Sequence, residues 1–437
     1  MNSPAEIERS ARRRIARRLL PFLWLLYVIA FLDRVNVAYA ALEMSHDLAF
    51  SDRVFGLGAG IFFVGYVLLE IPGTLIVERW SARRWISRIM ISWGFMTALV
   101  GMVHTPRQFY AARFLLGAAE AGFFPGVIVY LTHWFRREDR GKAVAVFMTA
   151  IPLSNIFGSP LAGQILRLHW LGLQGWRWLF ILEGVPAMIF GVVTLFYLTD
   201  WPGQAAWLPR EESDWITGEL AREREEREKR RVYTIWQALR HRDVILLTLA
   251  YFMGSTGVYG FIIWFPTILK RASGLSIAKV TLVVAIPYIA GLATILLNGW
   301  HSDRKREWRW HTALSLLIGG GWLILAIVSA SHLWIQLVFF ILFAGFTQAY
   351  QPTFWSLPTA FLGESAAAAS IGLINCLGGL GGFVGPFVVG YLATRTGSFA
   401  PGLAWLVANL LLGGILLLCL EKRPPEKAAA MLSASGA

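Results

Sequence analysis

Apolar residues in this chain fall in repeated runs of about 20, and a helix of that length crosses the hydrocarbon core of a bilayer. Twelve such runs can be traced: 20 to 42, 55 to 77, 86 to 104, 109 to 131, 143 to 166, 177 to 199, 244 to 269, 280 to 300, 312 to 331, 333 to 357, 368 to 394 and 399 to 420. With 56% hydrophobic and 15% charged residues, the chain reads as an all-α membrane protein of twelve transmembrane helices. An Arg-rich start before an apolar stretch and Ala38-Tyr39-Ala40 imitates a secretory signal. That reading fails because the stretch is too long, contains Asp33 and Arg34, and is followed by eleven more spans.

The net charge of +13 could suggest nucleic acid, so the position of the basic residues matters more than their number. If the N-terminus is cytoplasmic, thirty of the 40 Lys and Arg fall on that side. They lie in Arg9 to Arg18, Arg79 to Arg88, Arg136 to Lys142, Arg210 to Arg242, Arg304 to Arg309 and Lys422 to Lys427. This asymmetry is the positive-inside pattern. It predicts both termini in the cytoplasm and makes a nucleic-acid partner unnecessary. Cys376 and Cys419 sit in separate late spans without metal or redox spacing, and the eight histidines fall in loops or at span ends. Neither metal nor cofactor is expected, beyond a proton as coupling ion.

A polar segment divides six spans from six. The predicted organisation is an N-terminal six-helix bundle over 1–199, a cytoplasmic linker over 200–243, and a C-terminal six-helix bundle with a short tail over 244–437. Within the linker, AREREEREKRR (221 to 231) is a charge run without an apolar stripe, expected to be solvated. The halves look duplicated. TLIVERWSARR after span 2 and GWHSDRKREWR after span 8 place Glu78-Arg79 and Asp303-Arg304 225 residues apart, while Gly158-Ser159-Pro160 and Val384-Gly385-Pro386 are offset by 226. Two landmarks at nearly one spacing imply pseudo-symmetric bundles, a common transporter plan.

Burying an ionisable group in a bilayer costs at least about 2.5 to 3.5 kcal/mol, so such residues normally face a cavity and act there. Asp33 and Arg34 lie about 20 Å into span 1 at 1.5 Å per residue. Arg113 and Glu120 on span 4 are seven apart and share a face. Glu70 and Glu183 lie nearer span ends and could be interfacial. Adding 225 to the four central positions gives Val258, Tyr259, Val338 and Gly345, none of them charged. Charge handling therefore belongs to the first half. Arginine offers a fork that matches a carboxylate, and a carboxylate in low dielectric can exchange protons near neutral pH. Arg34 and Arg113 are thus expected to hold an anionic substrate, and Asp33 and Glu120 to load and unload a proton. The competing reading is a pair of buried salt bridges fixing span 1 to span 4.

The acid-Arg loop after span 2, echoed after span 8, is similar to the signature of the major facilitator superfamily, although Thr74 and Ser81 stand where glycines are usual and Glu78 replaces aspartate. FLDRVNVAYA, GYVLLEIPG, RFLLGAAEAGFFPG, GWRWLFILEGVPA, DWPGQAAWLPREE, YGFIIWFPTILK and NCLGGLGGFVGPFVVGYL together resemble its anion:cation symporter branch, over residues 15 to 420. The resemblance implies proton coupling at Asp33 and Glu120 and anion binding at Arg34 and Arg113. By the same resemblance, Tyr66, Trp355 and Asn375 contact substrate, and Glu78, Arg79, Asp303 and Arg304 have a gating or structural role. Pro160 and Pro386 are assigned to that role too. Tyr251, Tyr259, Gln348 and Gln351 could line an amphipathic wall or simply pack.

The expected function is proton-coupled import of a small organic anion, such as tartrate, phthalate or a hydroxyphenylacetate-like acid, by alternating access in the inner membrane. A monomer is the expected state. An exporter or exchanger not coupled to protons is the alternative. No catalytic residue is expected, since no nucleophile stands with a base.

Overall fold

The computed structural model describes residues 3–228, 241–361 and 364–420, and all its regular elements are helical. Spans 1 to 3 are α1 (Pro4–Asp47), α2 (Asp52–Arg79) and α3 (Ala82–Val100). Span 4 is made of α4 (Pro106–Glu120) and α5 (Phe123–Thr132), span 5 of α6 (Arg137–Met148) and α7 (Ala150–Ile165), and span 6 is α8 (Gly175–Tyr197). The linker contributes α9 (Arg210–Glu228). Spans 7 to 10 are α10 (Arg242–Ser273), α11 (Ile277–Lys305), α12 (Arg309–Val328) and α13 (Leu333–Phe361). Span 11 joins α14 (Glu364–Gly379) to α15 (Gly381–Thr396), and span 12 is α16 (Ala400–Leu418).

Local chemistry sets several helix starts. Ser3, Ser51 and Ser81 accept from the backbone of α1, α2 and α3, and Thr105 with Gln108 forms a capping box around Pro106. Among the described residues, 11 helices are long and apolar enough to cross a membrane. The twelfth span, α3, carries Arg83, Arg84 and Arg88 near its start, which lowers its hydropathy. Its other face is still buried: Ile86, Ile89, Met90 and Trp93 are 0% exposed.

Helix α1 starts well before the apolar run at 20. Ala11, Ile15 and Leu19 recur at four-residue spacing and are buried at 0 to 1% exposure, so an amphipathic stretch of about two turns precedes the apolar run. Helix α9 docks against this extension. Arg14 pairs with Glu212 at 3.0 Å and Ser10 donates to Glu212 at 2.7 Å, while Ile216 is buried. Residues 221 to 225 are mostly exposed, and 229–240 lie outside the described residues.

The two six-span bundles meet along spans 2 and 11 and along spans 5 and 8. Span 2 runs against span 11 so closely that a β-carbon on Gly56 would stand 2.5 Å from the Pro386 carbonyl oxygen, and one on Gly60 2.7 Å from that of Phe383. Only glycine permits this approach. On the pseudo-symmetric side, the Ser159 hydroxyl donates to the Thr281 carbonyl. At the face opposite the termini, Arg271 makes a bidentate pair with Asp52 at 2.6 and 2.8 Å, and Arg53 N–H donates to Thr394 Oγ1 at 2.8 Å. The polar links between the bundles cluster on that face and at mid-depth.

Candidate transport site

Arg34 and Glu120 form an ion pair between spans 1 and 4. Backbone geometry presents Glu120 for it. Glu120 is the last residue of α4, and the chain then turns through Ala121 and Gly122, whose φ of 85° is left-handed. Gly122 and Pro125 in RFLLGAAEAGFFPG are the sequence signals of that break. The Arg34 guanidinium lies 5.3 Å from the ring centroids of both Phe31 and Tyr66, a cation–π clamp. Its Nε and the second Glu120 oxygen have no hydrogen-bond partner among the described residues. The Arg34 side chain is 15% exposed, against 1% for Glu120. Arg34 is therefore the least buried member of the charge cluster.

Asp33 points the other way. It is 1% exposed and accepts three hydrogen bonds from neutral donors: Asn36 Nδ2 at 2.8 Å, Trp93 Nε1 at 2.6 Å and Thr97 Oγ1 at 2.8 Å. Span 3 thus holds the carboxyl group, without a direct cationic partner among the described residues. Arg113 is equally buried at 1%. It packs 4.8 Å from the Phe62 ring and donates weakly, at 3.4 Å, to the Gly58 and Ala59 carbonyls of span 2, leaving Nη1 without a partner among the described residues. The sequence grouped Arg34 with Arg113; the structure leaves Arg34 partly exposed beside Glu120 and buries Arg113 against the Phe62 ring.

Across the midline, Asn375 of span 11 donates to Glu70 of span 2. Both Glu70 and Glu183 are buried, at 6% and 7% exposure, so neither is interfacial. Their distance from the helix ends was misleading because neighbouring spans cover them. Trp355 packs edge-on against Tyr251 with centroids 5.0 Å apart, and Tyr251 stacks on Phe354 at 5.0 Å. Tyr259 meets Phe63 at 4.7 Å. The second half therefore faces the charge cluster with aromatic rings and amides.

The remaining assigned residues are structural in their contacts. Asp303 accepts from Trp308 Nε1 at 2.9 Å, and Arg304 lies 5.6 Å from the Trp300 ring centroid. The Glu78 and Arg79 side chains lie outside the described residues. Pro386 sits where span 11 meets span 2, its carbonyl accepting from Trp264 at 2.9 Å, and Pro160 follows the Ser159 that meets span 8.

These bundles, their seams and their central charges point to one class of protein, and the sequence profile described as "Major Facilitator Superfamily" matches residues 23–386. The chain belongs to the major facilitator superfamily. This facilitator is a transporter and not an enzyme. A protein of Agrobacterium vitis named for tartrate transport is 44% identical over 427 residues, covering 98% of each chain. The "Quinolone resistance transporter" of Acinetobacter baumannii is 37% identical, over 94% of this chain and 95% of its own. The inward open structure of the xylose transporter of E. coli shares the fold, with a TM-score of 0.74 at 14% identity, covering 96% of this chain and 99% of that one.

Of two further residues at the facilitator's centre, the sequence does not single out Asn36 and leaves Glu183 open to an interfacial reading. Asn36 bonds Asp33, and Glu183 of span 6 lies beside both with Oε2 lacking a hydrogen-bond partner among the described residues. Asn36 could have been found from its place three residues after Asp33, on the same helix face. Glu183 needed the packing of span 6 on span 1.

Proposed function

We propose that this facilitator imports a small carboxylate together with protons, with Arg34 as anion receptor and Glu120 as the competing, proton-accepting partner. The observation that carries the reading is the buried Arg34–Glu120 pair, formed by a guanidinium that is itself partly exposed and whose Nε has no hydrogen-bond partner among the described residues. An arginine fork can engage Glu120 or a substrate carboxylate at that edge. Removing one partner of a buried ion pair leaves an uncompensated charge at a cost of about 3–5 kcal/mol. Protonation of Glu120 has the same consequence for Arg34, and an arriving anion relieves it. Proton and anion therefore favour each other's binding, and thermodynamic linkage makes the effect reciprocal. Asp33, held by three neutral donors, is a second proton site, and Arg113 supplies positive potential from behind Phe62.

Closure of the face opposite the termini by Asp52–Arg271 and the glycine-lined seam supports alternating access by rocking about the central site. The basic-residue asymmetry supports an inner-membrane protein with both termini in the cytoplasm. The relative named for tartrate transport favours a hydroxylated dicarboxylate class.

The test is uptake of a panel of labelled carboxylic acids into vesicles, with and without a proton gradient. Glu120→Gln, which imitates the protonated side chain, should lose gradient-driven accumulation and keep substrate exchange; undiminished accumulation refutes the proton role. Arg34→Ala and Arg113→Ala should each lower uptake about tenfold or more, as removal of a charged contact does. The relative named for quinolone resistance favours a second reading, outward transport without carboxylate import. Indifference of uptake to an uncoupler, with efflux of an aromatic acid, would select it.

A further inference from the structure

Span 3 carries three arginines in its first two turns, and they are not equivalent. The Arg83 backbone N–H donates to Asp200 at 2.9 Å, and its side chain donates to the Leu195 carbonyl at 3.3 Å and lies 4.0 Å from the Asp200 carboxylate. Arg84 and Arg88, one turn apart and so on one face, make no ion pair with any acid among the described residues. Arg88 rests 3.9 Å from the Trp85 ring centroid and has a long contact, 3.5 Å, with Ser92 Oγ. Arg84 and Arg88 line a recess of about 540 Å³ between spans 3 and 6, together with Trp80, Ser92, Phe95 and Leu195.

This recess opens away from the transport site. Trp80 is 57% exposed and Phe95 50%, and on span 6 Val192 and Phe196 are 48% and 83% exposed, so the surrounding surface is the lipid-facing side. Arg88 lies about 9 Å along the helix from its start at 1.5 Å per residue, where apolar neighbours begin. A guanidinium near a helix end reaches the headgroup level, and among the described residues no acid pairs with it there. Trp80 marks the interfacial level.

We infer that this recess binds an anionic glycerophospholipid, its headgroup phosphate held between Arg84 and Arg88 and its acyl chain laid along Phe95 and Leu195. The two arginines match a phosphate by fork geometry, basic pockets between spans are suited to acidic headgroups, and the apolar wall below them suits a chain. A free phosphate would use the arginines and leave that wall empty.

The experiment is native mass spectrometry of the full chain in detergent, titrated in parallel with phosphatidylglycerol, phosphatidylcholine and inorganic phosphate. Phosphatidylglycerol should bind about tenfold or more tightly than phosphatidylcholine. The R84Q/R88Q variant should lose that preference, as expected for two basic contacts. R13Q/R17Q, which removes the same charge from exposed positions of α1, should stay within about twofold of the parent. Equal binding of the two lipids, an unchanged R84Q/R88Q, or full competition by inorganic phosphate at equal concentration overturns the proposal. If R84Q/R88Q does not fold, protection of Arg88 from a glyoxal reagent by phosphatidylglycerol, and not by phosphatidylcholine, replaces it as the deciding result.

Discussion

At Asp33 the environment consists of three neutral donors, and this decides how substitutions there behave. Asp33→Ala leaves the Trp93 indole, the Thr97 hydroxyl and the Asn36 amide facing a buried void, and each unsatisfied polar group costs about 1–3 kcal/mol. Asp33→Asn retains one acceptor oxygen for Trp93 and Thr97. Thermal unfolding in detergent should therefore separate the two, with Asp33→Ala lowered by several degrees and Asp33→Asn close to the parent. Equal losses would mean that charge, not hydrogen bonding, holds this residue. Glu120 is the opposite case. Its partner is a cation, so Glu120→Gln acts on coupling by leaving Arg34 uncompensated. The sequence singled out these residues because ionisable groups inside apolar runs stand out. It said nothing of which acid would face which cation, since that depends on how spans 1, 3 and 4 turn against one another.

Among the elements, the helices with breaks are the ones that build the site and its seams. Span 4 turns at Gly122 after Glu120, and span 11, interrupted at Leu380, meets span 2 on both sides of that point. Such breaks at membrane depth are tolerated where protein, not lipid, covers them. The closed seam between spans 2 and 11 ends in the Asp52–Arg271 pair. Asp52→Cys with Arg271→Cys should be bridged by a bifunctional methanethiosulfonate crosslinker long enough to replace the Asp–Arg span and stop transport, and a reductant should restore it. Transport that continues in the crosslinked protein would show that this face need not open. The sequence located most spans within a few residues, because a bilayer enforces a long apolar run. It missed the amphipathic extension of α1 and the docking of α9, because buried positions there recur only every fourth residue among charges, and the cover comes from another element.

For the whole molecule, duplication supplies two similar bundles, and asymmetry of content supplies the division of labour. The first bundle holds Asp33, Arg34, Arg113 and Glu120 at mid-depth, and the second offers Tyr259, Tyr251, Trp355 and Asn375. Orientation can be checked with a native residue: Cys419 is exposed at the end of span 12 and Cys376 is buried. A membrane-impermeant maleimide should leave Cys419 unlabelled in intact cells and label it after permeabilisation; labelling of intact cells would invert the proposed topology.

Length and spacing of the apolar runs, the offset of the repeats and the four charges in the first half were fixed by the chain itself, because the bilayer penalises polar groups so steeply that their positions are informative one residue at a time. Which charges pair was decided only by tertiary structure. Arg34 meets Glu120, Asp33 meets Trp93 and Thr97, and Asn375 meets Glu70 because helix rotation and crossing set these contacts, and neither is written in any single span.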